Sequence, residues 1–483
     1  MQMKKIILSL AIASVMIAGC VKDLSTLNKD PKNPSIVPSY TLFTNAQRTL
    51  ANTMTSSNVN LNVWRLILQY WQETTYTDES NYDLATRSIN DNVWDALYRD
   101  VLKDFSESAK LVPTDVLNDD GTPDLPRQQN DLAIIEIMEV YTWYYLVTTY
   151  GNIPYSEALI IDKPFPVYDD AATIYNNLLT RLDAAIAKLD VTHASFSGAD
   201  VLYGGNVTKW KKFANSFKLK MGMTIADSDP AKAKTVVEAA VAAGVFTSNA
   251  DNAEFQYLSG PPNTNPIWVD LVQSGRKDFV AARTIVNEME ARNDPRLDDY
   301  FTVDAGGGYS GGTPGASSNY STYSKPDESI AAADFPALFL DYAEVEFFLA
   351  EAKERSFNVP GTAIQHYNNA VTASILYWGG TMAEATAYLA EASVNYLTAG
   401  ATYKEKIGEQ KWIALYNRGL DAWIEWRRLD YPQLSPAVDA VSDIPLRYPY
   451  PVNEQNVNTS NYDAASTAIG GDDVTTQLWW DKF

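Results

Sequence analysis

Apolar residues recur along most of this chain three or four positions apart, the period of a helix with one buried face. The pattern predicts helices over residues 41–54, 62–73 and 90–111, the last with Val93, Leu97, Val101 and Phe105 four apart. Residues 129–149 are apolar on nearly every side, which predicts a buried helix. Ile174, Leu178, Leu182, Ile186 and Leu189 mark another, opened by an Asp169-Asp170 cap. Further helices follow over 208–226, 231–243, 336–355 and 362–377. In 404–432, Ile407, Trp412, Leu415 and Tyr416 outline one helix, which Gly419 closes. Trp423 and Trp426 sit three apart on a second, with Arg427 and Arg428 beside them. With Arg418, these aromatic and basic residues could form a ligand site. Core is the favoured reading, because rings at helical spacing pack and arginines stack on them.

Consecutive helices of this length resemble tetratricopeptide repeats, although no strict period of about 34 residues shows. The expected fold is mostly α: about four degenerate helix pairs wrapped by irregular loops, with few short strands, in one domain over 41–483.

Charge and cysteine usage narrow the function. The chain of 483 residues carries a net charge of −22, the wrong sign for nucleic acid. Its one cysteine, Cys20, excludes internal disulfides, and His193 and His366 are too few for a histidine cluster or a Cys/His zinc site. Lys4 and Lys5 precede an apolar run from Ile6 to Ile17 that is too short to span a bilayer. That is the plan of a secretory signal over residues 1–19. It ends in Ile17-Ala18-Gly19-Cys20, which is similar to a bacterial lipobox, with Ile17 in the place of the usual leucine. Cys20 is therefore the expected lipidated N-terminus, and acyl chains there would hold the protein on a membrane. Without Lys4 and Lys5, 36 basic residues face 60 acidic ones, a net −24. Residues 20–40, with Pro31, Pro34 and Pro38, read as a tether. Lys22-Asp23 resembles a short signal for the cell surface.

Several stretches then resemble one family in its order. They are Gln410-Lys411-Trp412 with Trp423-Ile424-Glu425-Trp426-Arg427-Arg428; Tyr150-Gly151-Asn152-Ile153-Pro154-Tyr155; Asp294-Pro295-Arg296; Tyr342-Ala343-Glu344 with Ala350-Glu351-Ala352; and the segment from Ile444 to Pro451. Together they resemble the SusD/RagB nutrient-binding outer-membrane lipoproteins. The resemblance implies a SusD-like helical fold, a lipid-anchored place on the cell surface, and a SusC-like TonB-dependent outer-membrane transporter as partner. It also implies a nutrient ligand, commonly a glycan and sometimes a peptide, bound without catalysis.

The chain's own chemistry agrees with recognition. No HExxH, P-loop or dinucleotide fingerprint occurs, and no cofactor or metal is expected. Leu117 to Gly121 lacks the carboxylate that an EF-hand would need at Val116. A glycoside hydrolase with a carboxylate pair, and a helical-repeat scaffold without a pocket, stay open as alternatives. Sugars present apolar faces edged with hydroxyls, which suit aromatic platforms beside amides and carboxylates. Three polar, breaker-rich loops carry such residues: Tyr76, Asp78, Asn81 and Tyr82 in 74–88; Asn265 and Trp268 in 259–276; Tyr309, Tyr320 and Tyr323 in 304–325. Each aromatic could equally pin its loop to the core. The negative charge disfavours acidic glycans unless a local basic patch, such as Arg276 and Lys277, intervenes.

Overall fold

A computed structural model describes residues 37–482. The signal segment, Cys20 and the tether up to residue 36 lie outside the described residues. Contacts group Ser39–Phe483 into one compact unit.

Four sequence-adjacent helix pairs pack on each other within it: α1 (Leu125–Tyr150) with α2 (Ala171–Lys188), α3 (Val207–Thr224) with α4 (Pro230–Ala243), α5 (Tyr342–Glu354) with α6 (Ala363–Tyr377), and α7 (Tyr403–Ala414) with α8 (Gly419–Leu429). Local chemistry starts the first seven of these helices. The side chains of Asp124, Asp170, Asn206, Asp229, Asp341, Thr362 and Thr402 each accept a hydrogen bond from the backbone N–H three residues on, which satisfies a donor that the helix itself leaves free. The chain is thus mostly helical, as expected, and among the described residues the strands form three two-stranded antiparallel sheets.

Three expected elements differ. Residues 62–73 form no continuous helix: Trp64–Ile67 is one short turn, Gln69 adopts a positive φ of 58°, and Trp71–Glu73 is a strand paired with Phe279–Ala281. Residues 336–355 likewise begin as a strand, Ala337–Leu340, paired with Ala253–Phe255, and the helix starts only at Tyr342. In both cases a distant partner strand overrides the local period. Gly419 opens α8 instead of closing α7. A Cβ there would lie 3.0 Å from the Trp64 Cβ and 3.1 Å from the Arg65 nitrogen, so glycine is needed for that close approach.

The tryptophan- and arginine-rich stretch is core. Trp412 is buried, stacks on Tyr70 with centroids 5.2 Å apart, and donates its indole N–H to the Leu68 carbonyl at 3.2 Å. The Arg427 guanidinium lies 3.7 Å from the Trp423 ring centroid. Arg428 grips both oxygens of Glu351 at 2.5 and 2.6 Å and reaches Glu425 at 2.6 Å. Lys411 donates to Glu425 at 2.8 Å with its ammonium 3.3 Å from the Phe348 ring centroid. Arg418 and Lys220 both contact Glu344 and Asp421. Burial opposes ionisation of Glu425, but Arg428 and Lys411 outweigh it and hold the carboxyl at about 2. A buried charge lattice therefore ties α5 to α7 and α8, and also to α3.

Candidate functional site

The strand pair Trp71–Glu73 and Phe279–Ala281 brings the three candidate loops together. Thr74, just past the first strand, donates its N–H to the Asp278 carbonyl at 2.8 Å and its hydroxyl to the Lys277 carbonyl at 2.7 Å. Its own carbonyl accepts from the Ser318 N–H at 3.0 Å. The third loop lies directly on the second strand: Gly312 N–H donates to Ala281 O, and Ala281 N–H to Ser324 O, each at 2.8 Å. Gly311 permits this, since a Cβ there would stand 2.4 Å from Ala282 and Arg283 backbone atoms.

A cleft of about 630 Å³ opens where the second and third loops meet the segment around Ala331–Ala333. Trp268 and Tyr320, both half-buried, line it, with Leu271, Val272, Arg276, Phe279, Lys325 and Glu328. Trp268 opens a π-helical turn, Trp268–Gln273. Asn265 fixes that turn against the opposite wall. Its N–H donates to Ala333 O at 2.8 Å, its amide to Phe335 O at 2.7 Å, and its side-chain oxygen accepts from Ile267 N–H at 2.8 Å.

The expected site residues thus divide. Trp268 and Tyr320 share the cleft. Asn265 is fully buried and spent on the loop, so it positions the wall and offers a ligand no hydrogen bond. Tyr82 is also buried, and its hydroxyl accepts from the Ala437 N–H at 3.1 Å; it pins a loop and is no platform. Asn81, with its amide nitrogen turned to the Gly315 and Val438 carbonyls at 3.0 Å each, holds two loops together. Tyr76 is 78% exposed on the adjoining loop, with Asp78 exposed beside it, and neither lines the cleft. Tyr309 is half-buried outside the cleft, where burial and the carboxylates of Asp298, Asp327 and Asp299 push its hydroxyl up. Tyr323 lines nothing here either.

Sequence reasoning missed Lys325, Glu328 and the small-residue wall. Lys325 carried one usable signal, a cation at the end of the same aromatic loop. Lys277 and Lys325 place their ammoniums 5.6 and 5.4 Å from the Tyr320 ring centroid. Two further depressions are smaller: about 380 Å³ beside Tyr82, Leu84 and Pro449, and about 490 Å³ between Tyr40 and Ala199. Among the described residues no group of three or more His, Cys, Asp and Glu is placed to hold a metal.

The SusD-like family model described as "Starch-binding associating with outer membrane" matches residues 31–451. The chain belongs to this SusD-like family. Solved SusD-like structures superpose on nearly all of it. A SusD homolog from Bacteroides uniformis is 29% identical, with a TM-score of 0.76, over 92% of this chain and 99% of that one. A SusD-like protein from Bacteroides thetaiotaomicron is 25% identical, with a TM-score of 0.78, over 92% and 99%. A chitin-binding protein is 26% identical, with a TM-score of 0.78, over 92% and 100%. No curated protein matches the chain. The stretches that carried the resemblance lie in the scaffold of this SusD-like fold. Glu344 and Glu351 answer Arg418 and Arg428, and Arg296 grips Asp294 at 2.6 and 2.8 Å. None of these residues lines the cleft.

Proposed function

We propose that this protein is a lipid-anchored cell-surface protein that captures a nutrient oligomer, a glycan, and passes it unchanged to a SusC-like TonB-dependent outer-membrane transporter. The observation that carries the binding is the cleft itself: two half-buried aromatic rings from separate loops face one space of about 630 Å³ with charged groups at its edge. Rings offer the apolar face of a sugar a platform, and the polar rim meets its hydroxyls. The family description and the chitin-binding relative support a glycan over a peptide. Glycosidases work with a pair of carboxyl groups, and Glu328 is the one carboxylate among the residues lining the cleft.

Glycan and peptide arrays, followed by product analysis, test this reading. The expected result is retention of an oligosaccharide with no new product. Peptide binding alone, or cleavage of the sugar, would overturn it.

A further inference from the structure

The charges at the cleft run against those of the chain: Arg276 and Lys325 line it with Glu328, and Lys277 borders it beside Tyr320. In a protein of net charge −22, Lys277 and Lys325 converge on one ring, Tyr320, and neither makes an ion pair among the described residues. Arg276 adds a third cation, held at 2.5 Å by Asp278. The nearby Asp270 is turned to the Ser57 hydroxyl, which donates to it at 2.9 Å. Glu328 is left as the acidic counterweight on the wall. Neither ammonium is spent on a carboxylate, so both are left for an anionic ligand group to pair with.

We infer that the cleft selects an acidic glycan, with a sugar stacked at Trp268 and Tyr320 and its anionic substituent, a carboxylate or a sulfate, between Lys277 and Lys325. This deepens the glycan reading of the same site and rests on it. The local cations supply the exception that the overall negative charge requires, and they also focus the field at the mouth of the cleft. The attraction is partly solvent-exposed, so it weakens with salt.

The test uses calorimetry on the full folded protein. The probes are tetramers of galacturonate and of mannuronate, each against its methyl ester, and sulfated against unsulfated dextran of matched length. At low salt at least one acidic probe binds about tenfold tighter than its neutral counterpart, a difference of about 1.4 kcal/mol. Uronate and sulfate arms tell the two anions apart. The Lys277→Gln/Lys325→Gln double variant removes that advantage, so that each acidic probe and its neutral counterpart bind it with equal affinity, as does high salt. Equal or weaker binding of every acidic probe, or an advantage that survives in the double variant, overturns the inference while neutral binding still upholds the glycan site. Loss of all glycan binding overturns both.

Discussion

Arg428 meets Glu351 as a planar fork, with its two terminal nitrogens 2.5 and 2.6 Å from the two carboxylate oxygens. Both groups are buried, so the pair is shielded from water and each charge depends on its neighbours. Removing Glu351 leaves the buried Arg428 with only part of its counter-charge, at Glu425. Glu351→Leu is expected to cost about 3–5 kcal/mol, measured by urea unfolding. A loss below about 1 kcal/mol would show that the lattice holds little of the fold.

Trp412 fills the space between Tyr70 and the strand-bearing segment at Leu68. Trp412→Ala leaves a cavity and an unpartnered Leu68 carbonyl, at a cost of about 3–5 kcal/mol. Thermal melting indistinguishable from wild type would mean that this ring does not belong to the core.

Glu73 sets a pH dependence of known sign. Burial pushes its carboxyl up, opposed by hydrogen bonds from Ser80 and reinforced by the Glu79 carboxylate, from an ordinary 4.5 to about 8. The folded state therefore binds this proton more tightly than the unfolded chain does. The stability it brings is full below 4.5 and is lost as pH rises through about 8. Glu73→Gln should remove on the order of 1–3 kcal/mol of the decline over that window. Parallel stability profiles for wild type and variant would contradict the assignment.

The anchor is tested by Cys20→Ala. Cells lacking the transporter should release the variant from the membrane fraction and retain the wild type. Wholly membrane-bound variant protein would exclude the cysteine as the anchor.

The helical scaffold was legible in the sequence because its determinants are local. Asp170 before α2 and the period of Trp412 and Tyr416 each act within a turn or two. The strands at Trp71–Glu73 and Ala337–Leu340 were not legible, since each is made by a partner about 80 residues or more away in the chain. The site was half legible for a related reason. Polar, breaker-rich loops pointed to Trp268 and Tyr320, which the fold places in one cleft, but composition cannot distinguish a ring that faces solvent from one that pins its own loop. Tyr82 and Asn265 sit in similar sequence surroundings and are both consumed by backbone partners. Lys325 became meaningful only when folding laid it over Tyr320.

The most direct test of the central claim is calorimetric titration of wild type, Trp268→Ala, Tyr320→Ala and Tyr309→Ala with the tightest oligosaccharide found on the array. Trp268→Ala and Tyr320→Ala should each weaken binding about tenfold, on the order of 1–2 kcal/mol for a lost stacking platform, without a matching loss of stability. Tyr309→Ala, outside the cleft, should leave affinity unchanged. Wild-type affinity in both cleft variants, or a loss confined to Tyr309→Ala, would contradict the assignment of the site.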